Sequence, residues 1–342
     1  MRKASAVMMR ACRGGLYESY YFRATSRDGR HAFWLKHNLL RRQGETGVQL
    51  DLAFILFDRQ TARTQVLHQR QTLPLNALPK DWQQARLGND DTARSQISAT
   101  RLHGSVTEDD QVVSWDWDCQ AQGQTLYHFP AQIWYHTPWP KKKLLTVQSR
   151  LLLQGHLRLG DTVLPGPWIG MNGHNWGREH AHRYAYANCN EFAGDEAYFD
   201  GLSAHLALAG GHLITPPLSL ACLQLAGRWH RFDSLLRAPR QHVSRLDDEH
   251  WHVDLVNHEH RLRVRVDAAP PGICAWVGLH YEHPDGRLSV VRNTKFAQLE
   301  LSLSTHSGRL IRRLHSDRCE LETLLPEHVA GTSYHAELSM PL

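Results

Sequence analysis

The amino-acid sequence predicts an all-β protein of antiparallel sheet, curled into barrels or a sandwich, on three observations. Apolar and polar residues alternate with a period of two through most of the chain, Asp- and Gly-containing turns punctuate that alternation at short intervals, and helical patterning is nearly absent. Successive strand side chains point to opposite sides, so each alternating run has one dry and one wetter face. Strands of a buried parallel sheet would instead read as unbroken apolar runs.

The elements follow in chain order. Residues 20–24 and 32–40 are expected as a hairpin, because Arg27-Asp28-Gly29-Arg30 lies between them and Asp-Gly tolerates positive φ. In residues 32–40, Trp34, Lys36 and Asn38 share a face, and Lys36 is expected to be exposed. Val48, Leu50, Leu52, Phe54 and Leu56 share one face of the next strand, while Gln49 and Asp51 begin the other. The one helical candidate, residues 80–87 after Pro79, is short and stops at Gly88-Asn89. Val113, Trp115, Trp117 and Cys119 alternate with Ser114, Asp116, Asp118 and Gln120, so the tryptophans read as core and the aspartates as solvent-facing. Leu262, Val264 and Val266 alternate with Arg261, Arg263, Arg265 and Asp267, and Pro284-Asp285-Gly286 separates residues 273–281 from 288–291. Residues 166–192 read as a turn and the closing strand of a first barrel. The boundary near residues 194–201 divides the chain into expected domains 1–197 and 198–342.

Composition bounds the function. A chain of 342 residues with 42% hydrophobic and 21% charged residues has enough apolar surface for two ordinary cores. No apolar run reaches the roughly 20 residues of a membrane-spanning helix, so no transmembrane segment is expected. Arg2, Lys3, Arg10 and Arg13 interrupt the start of the chain, so no secretory peptide is read there and a cytoplasmic location is expected. The net charge of +5 is mild, and the one basic run, Lys141-Lys142-Lys143 after Thr137-Pro138-Trp139-Pro140, reads as a solvated loop. Nucleic-acid binding would need basic residues interleaved with aromatics over a longer stretch, so no nucleic-acid partner is expected. Cys12, Cys119, Cys189, Cys222, Cys274 and Cys319 are dispersed and form no Cys-x-x-Cys pair; they read as reduced, buried thiols. The nucleophile elbow, the Walker loop, the dinucleotide fingerprint and the His-Glu-x-x-His pattern are all missing from the sequence.

The densest polar-aromatic stretch runs from residue 168 to residue 192. On a strand over residues 183–192, Tyr184, Tyr186, Asn188, Asn190 and Phe192 share one face, and Ala185, Ala187 and Cys189 share the other. Such a large, hydrogen-bonding aromatic face suits the wall of a ligand cavity. His174, His180 and His182 with Glu179 invite a metal reading. However, 24 histidines supply His-x-His pairs by composition alone, as at His250/His252 and His258/His260, so neither metal nor cofactor is expected.

Gly173-His174-Asn175-Trp176-Gly177, followed by an aromatic strand, resembles the mid-chain motif of the carotenoid hydratase and AttH-like family, which is related to tocopherol cyclases and lipocalin-like Diels–Alderases. Residues 18–25 with Asp28-Gly29 and Ala32-Phe33-Trp34-Leu35 are similar to the opening hairpin of such proteins, and residues 293–301 to a late strand. The resemblance implies two lipocalin-like antiparallel β-barrels in tandem, together shaping one hydrophobic cavity. Several members carry an acid just before the His-Asn-Trp-Gly core, where this chain has Gly173.

Three functions are carried forward. The first is binding of a lipophilic small molecule (an isoprenoid, polyketide or acyl chain), with His174, Asn175, Trp176, Tyr184, Tyr186 and Asn188 at the cavity wall. The second is a cofactor-free hydratase, cyclase or pericyclase in the same cavity, with Glu179 or His182 as its acid. The third is a non-catalytic interaction scaffold with both barrels filled.

Overall fold

The computed structural model describes residues 4–11, 14–89, 92–137, 140–208, 212–234, 237, 241–270, 272–325 and 337–341. Cys12, Pro138 and Trp139 lie outside them. Two curled antiparallel sheets in tandem make up the protein, one a nearly closed barrel and the other a half-barrel, as the sequence predicted.

The first sheet is built from β1 (Leu16–Ser26), β2 (His31–Arg41), β3 (Gly47–Asp58), β4 (Arg63–Pro74), β5 (Arg86–Asn89), β6 (Ala93–Ile97), β7 (Arg101–Glu108), β8 (Gln111–Ala121), β9 (Leu126–Tyr127), β10 (Lys142–Leu159), β11 (Thr162–Pro165) and β12 (Trp168–Gly177). Its order is β4-β3-β2-β1-β12-β10-β8-β7-β6-β5, with β9 and β11 paired to β10. Side-chain bonds from β4 to β7, such as Gln69 Nε2 to the Thr107 carbonyl at 2.7 Å, draw the sheet towards closure. Its interior is dry: Phe33 stacks on Trp117 at 4.6 Å and Phe54 on Trp115 at 5.4 Å, so the β8 tryptophans are core as expected.

The second sheet holds β13 (Arg183–Cys189) and β14 (Ala197–His205). After a small ribbon of β15 (Ala207–Leu208) and β16 (Leu213–Ile214), it continues with β17 (Leu218–Leu225), β18 (Arg228–Phe232), β19 (His242–Leu246), β20 (His250–Val256), β21 (His260–Asp267), β22 (Val277–Glu282), β23 (Leu288–Thr305), β24 (Leu310–Leu324) and β25 (Glu337–Pro341). Its order is β18-β17-β14-β13-β24-β23-β21-β20-β19, and β22 pairs with β23 and with β25.

Both predicted hairpins form. Gly29 at φ 72° and Gly286 at φ 86° take the left-handed backbone that lets the chain reverse. Three expectations are corrected. Residues 80–87 form only the 3-10 turn Trp82–Gln84, capped by the Asp81 carboxylate accepting from the Gln83 amide, before the chain extends into β5. Burying Trp82 against Tyr20 at 5.2 Å fixes that turn where propensity alone suggested a short helix. Residues 166–192 serve both sheets: β12 inserts between β1 and β10 as a closing strand of the first, while β13 joins the second beside β14 and β24. The basic run is not a solvated loop. Lys142 and Lys143 start β10; Lys141 is exposed, and Lys143 is buried with its ammonium on the Pro140 carbonyl.

Among the described residues no helix is long and apolar enough to cross a membrane. Cys119, Cys189, Cys222, Cys274 and Cys319 are free and buried.

Candidate active site between the two sheets

The site lies where the second sheet covers the face of β1 and β2 that turns away from the first barrel's interior. Every residue of β1 is buried, so both of its faces are covered. Leu16, Glu18, Tyr20 and Phe22 look into the first barrel, and Tyr17, Ser19, Tyr21 and Arg23 look towards the second sheet. Antiparallel register aligns these side chains in rows across β2, β1, β12 and β10. Leu40, Tyr17, Gly177 and Lys142 form one row; Asn38, Ser19, Asn175 and Leu144 the next; Lys36, Tyr21, Gly173 and Thr146 the third. Opposite them, the second sheet sets Leu202, Tyr186, Glu322 and Asn293 in a row, flanked by Asp200, Asn188 and Glu320.

Between the two faces is a cavity of about 90 Å³, walled by Trp34, Tyr17, Tyr21, Tyr184, Tyr186 and Tyr281, with Leu144, Leu145 and Leu202. Its polar groups include Ser19, Lys36, Lys142, His180, Asn175, Glu320 and Glu322. Typical small-molecule sites start at roughly 300 Å³, so this space takes a compact molecule or the reacting end of a larger one. On the far side of Leu145, which borders both spaces, an open groove of about 410 Å³ ends the first barrel, lined by Met8, Leu16, Tyr135 and Trp176.

Lys36 is 2% exposed, against the expectation of an exposed lysine. The reason is that the second sheet covers the face that its own strand leaves open. Its ammonium donates to the Tyr281 hydroxyl at 2.7 Å and stands 4.1 Å from the Trp34 ring centre. Tyr281 in turn donates to Glu322 Oε2 at 3.4 Å, and Tyr184 donates to Glu322 Oε1 at 2.6 Å. Burial lowers Lys36 to about 7, with Glu322 working in the opposite direction. Burial holds the phenols of Tyr17, Tyr184, Tyr186 and Tyr281 well above the usual tyrosine range, so they remain proton donors.

Deeper in, Arg23 and Lys295 clamp Glu320, at 3.0 and 2.5 Å. Burial works to raise Glu320, but Lys295 and Arg23 outweigh it and leave the carboxyl below its ordinary value. Lys295 lies 3.7 Å from the Trp34 ring centre, so this indole already receives two of the protein's own cations. At the other end, Lys142 meets His180 Nδ1 at 3.0 Å, and the His180 ring stacks on Tyr17, Tyr184 and Tyr281. Burial and then Lys142 push His180 well below its usual value, which keeps it neutral.

The residues singled out from the sequence are distributed over several places. Asn175, Tyr184 and Tyr186 line the cavity. Asn188 lies beyond its wall, donating to Asp200 at 2.9 Å and to Tyr198 at 2.6 Å. His174 points into the first barrel, where Nε2 meets Glu18 at 2.8 Å and Nδ1 the Ala4 carbonyl at 2.8 Å. Trp176 lines the groove. Glu179 pairs with Lys141 at 2.5 Å and Arg287 at 3.5 Å, and the His182 side chain is exposed; neither borders the cavity. Of the segment between β12 and β13, His180 and Ala181 turn inward.

Lys36, Tyr281, Glu320 and Glu322 were not singled out as site residues. The available signal was charge on otherwise apolar strands: Lys36 after Phe33-Trp34-Leu35, and Glu320 and Glu322 between Cys319, Leu321 and Leu324. Among the described residues no cluster of His, Cys, Asp and Glu is arranged to hold a metal ion.

No protein-family model matches the chain, and no curated protein matches it. Among solved structures, its fold is similar to that of kievitone hydratase from Nectria haematococca, at 8% identity over 95% of this chain and 96% of that one, with a TM-score of 0.51. It is also similar to CghA in a crystal structure with Sch210972, at 10% identity over 91% and 88%, with a TM-score of 0.50. An AttH-like protein from Nitrosomonas europaea aligns at 12% identity over 91% and 92%, with a TM-score of 0.49. At such identities the likeness is one of fold, in keeping with the tandem lipocalin-like barrels that the sequence resemblance implied.

Proposed function

We propose that the inter-sheet cavity binds a lipophilic small molecule and moves protons on it with the protein's own side chains, as a hydratase, cyclase or isomerase does. One observation carries the reading: Tyr281 joins Lys36, at 2.7 Å, to Glu322, at 3.4 Å, inside an aromatic-walled cavity. A lysine brought to about 7 donates and regains a proton at neutral pH, which is the property a general acid–base group needs. Glu322 takes the relayed proton through Tyr281, and Tyr184 orients that carboxylate. A chain of charge and hydrogen bonding this deep costs stability, and buried ionic groups of that kind concentrate at functional sites. A filled scaffold has no use for it.

The cavity favours intermediates with negative rather than positive charge. Aromatic faces stabilise a carbocation only where they are free, and Trp34 and Tyr281 already carry Lys36, with Lys295 also on Trp34. Lys36, Lys142 and the phenols are placed to stabilise a developing enolate or alkoxide.

The test is untargeted mass spectrometry of a host metabolite extract incubated in H₂¹⁸O with the wild-type chain and with Lys36→Met. A metabolite converted by the wild type alone, as an isomer or with one labelled water added, supports the reading. A molecule that co-purifies with the protein but is never converted assigns a carrier instead.

A further inference from the structure

We infer that the ligand of this cavity carries an acidic oxygen, as a carboxylate or an enolate, seated at the Lys142 end against Tyr17 and Ser19. This deepens the function proposed above and rests on it. The first argument is the balance of buried charge. Arg23, Lys36, Lys142 and Lys295 face Glu320 and Glu322. The third carboxylate nearby, Asp200, accepts through Oδ2 from neutral donors on Tyr198, Asn188, Thr146 and Tyr186, at 2.7 to 3.3 Å. The cations therefore exceed the carboxylates by one. Glu320 is held by Arg23 and Lys295, and Glu322 is reached by Lys36 through Tyr281.

Lys142 is the cation left over. Its direct partners are neutral, the His180 imidazole at 3.0 Å and the Tyr184 ring, 5.1 Å to its centre, and the Glu322 carboxylate acts on it only at longer range. A half-buried cation whose direct partners are neutral is costly unless an anion joins it. Desolvation lowers Lys142 to about 8, so the free site relieves part of that cost by shedding a proton.

The second argument is independent of charge. The Tyr17 hydroxyl, the Ser19 hydroxyl and the Trp34 indole N–H are buried at the cavity wall with no hydrogen-bond partner among the described residues. All three can donate, so they call for an acceptor. Register places Tyr17 and Lys142 in one row on either side of Gly177, which has no side chain to fill the gap. A Cβ at 177 would stand 2.8 Å from the Tyr17 hydroxyl. Phenol and hydroxyl thus face the space beside the ammonium with no acceptor of their own among the described residues.

Calorimetric titration of the full chain with sodium benzoate and with benzamide tests the inference; the two probes share size and shape and differ in charge. Benzoate is expected to bind at least about tenfold tighter, the preference a charge-assisted pair supplies. Lys142→Met is expected to abolish that preference. Tyr17→Phe, which keeps the ring, is expected to weaken benzoate more than benzamide and guards against misfolding of the first variant. Equal binding of the two probes, or a preference that survives Lys142→Met, overturns the acidic-ligand inference but keeps the cavity as a binding site. Failure of both probes to bind up to their solubility limits overturns the binding function itself.

Discussion

Gly173 and Tyr21 occupy one space. They are register partners in β1 and β12, and a Cβ built on Gly173 would stand 2.7 Å from Cε1 of the Tyr21 ring and closer still to its Cζ and hydroxyl. The position that holds an acid in several members of the resembling family is here given over to a tyrosine on the neighbouring strand. Gly173→Ala is therefore expected to cost about 1–3 kcal/mol through forced displacement of that ring. Tyr21→Ala in the same chain is expected to recover most of the loss in a double-mutant cycle read by urea unfolding. Additive effects would separate the two residues.

Burial also sets a pH dependence. Lys36 is lowered to about 7, and Lys142 and Lys295 to about 8, from an unfolded value near 10.5, with burial the first cause in each. Between those values the unfolded chain holds protons that the folded chain has released, so stability rises with pH from about 7 towards 10. The raised tyrosines reverse the trend above about 10, because there the unfolded chain loses protons that the folded chain keeps. Urea midpoints across this window should climb for the wild type and climb less for Lys36→Met. A flat wild-type profile would contradict the burial of these amines.

Glu18 holds the start of the chain to the end of the first barrel. Its carboxylate accepts from the Met8 and Met9 amides, the Trp82 indole and His174, at 2.6 to 2.9 Å. Glu18→Ala removes the acceptor these four donors share and is expected to cost roughly 3–5 kcal/mol, as breaking a buried charged network does. The loss should appear as a lower denaturation midpoint. Benzoate affinity measured well below that midpoint should not change, since Glu18 points away from the cavity.

Two aromatic residues distinguish the cavity from the groove, since each lines only one of them. Tyr184→Ala opens the cavity wall and is expected to weaken benzoate by about tenfold, whereas Trp176→Ala, on the groove, should leave it unchanged. The opposite pattern would move the site to the end of the first barrel.

Much of this arrangement could be read before any coordinates. Alternation along β2, β3, β8, β13 and β21 identified the side chains that share a face, Asp-Gly pairs located both hairpins, and the large polar-aromatic face of β13 brought Tyr184 and Tyr186 forward as wall residues. Period two is a local consequence of the pleat, so it survives whatever the strands pack against.

What covers each face was decided only by the tertiary structure. A polar face reads the same in sequence whether it meets water or the polar face of another sheet. Lys36 and Asp116 both alternate with apolar neighbours, yet one lies under the second sheet on Tyr281 and the other pairs with Arg101 in solvent. Glu320 and Glu322 lie some 280 residues from Lys36 along the chain, and no local pattern ties them together. Long-range packing of one sheet on another turned these scattered charges into a site, because it removed water from around all of them at once.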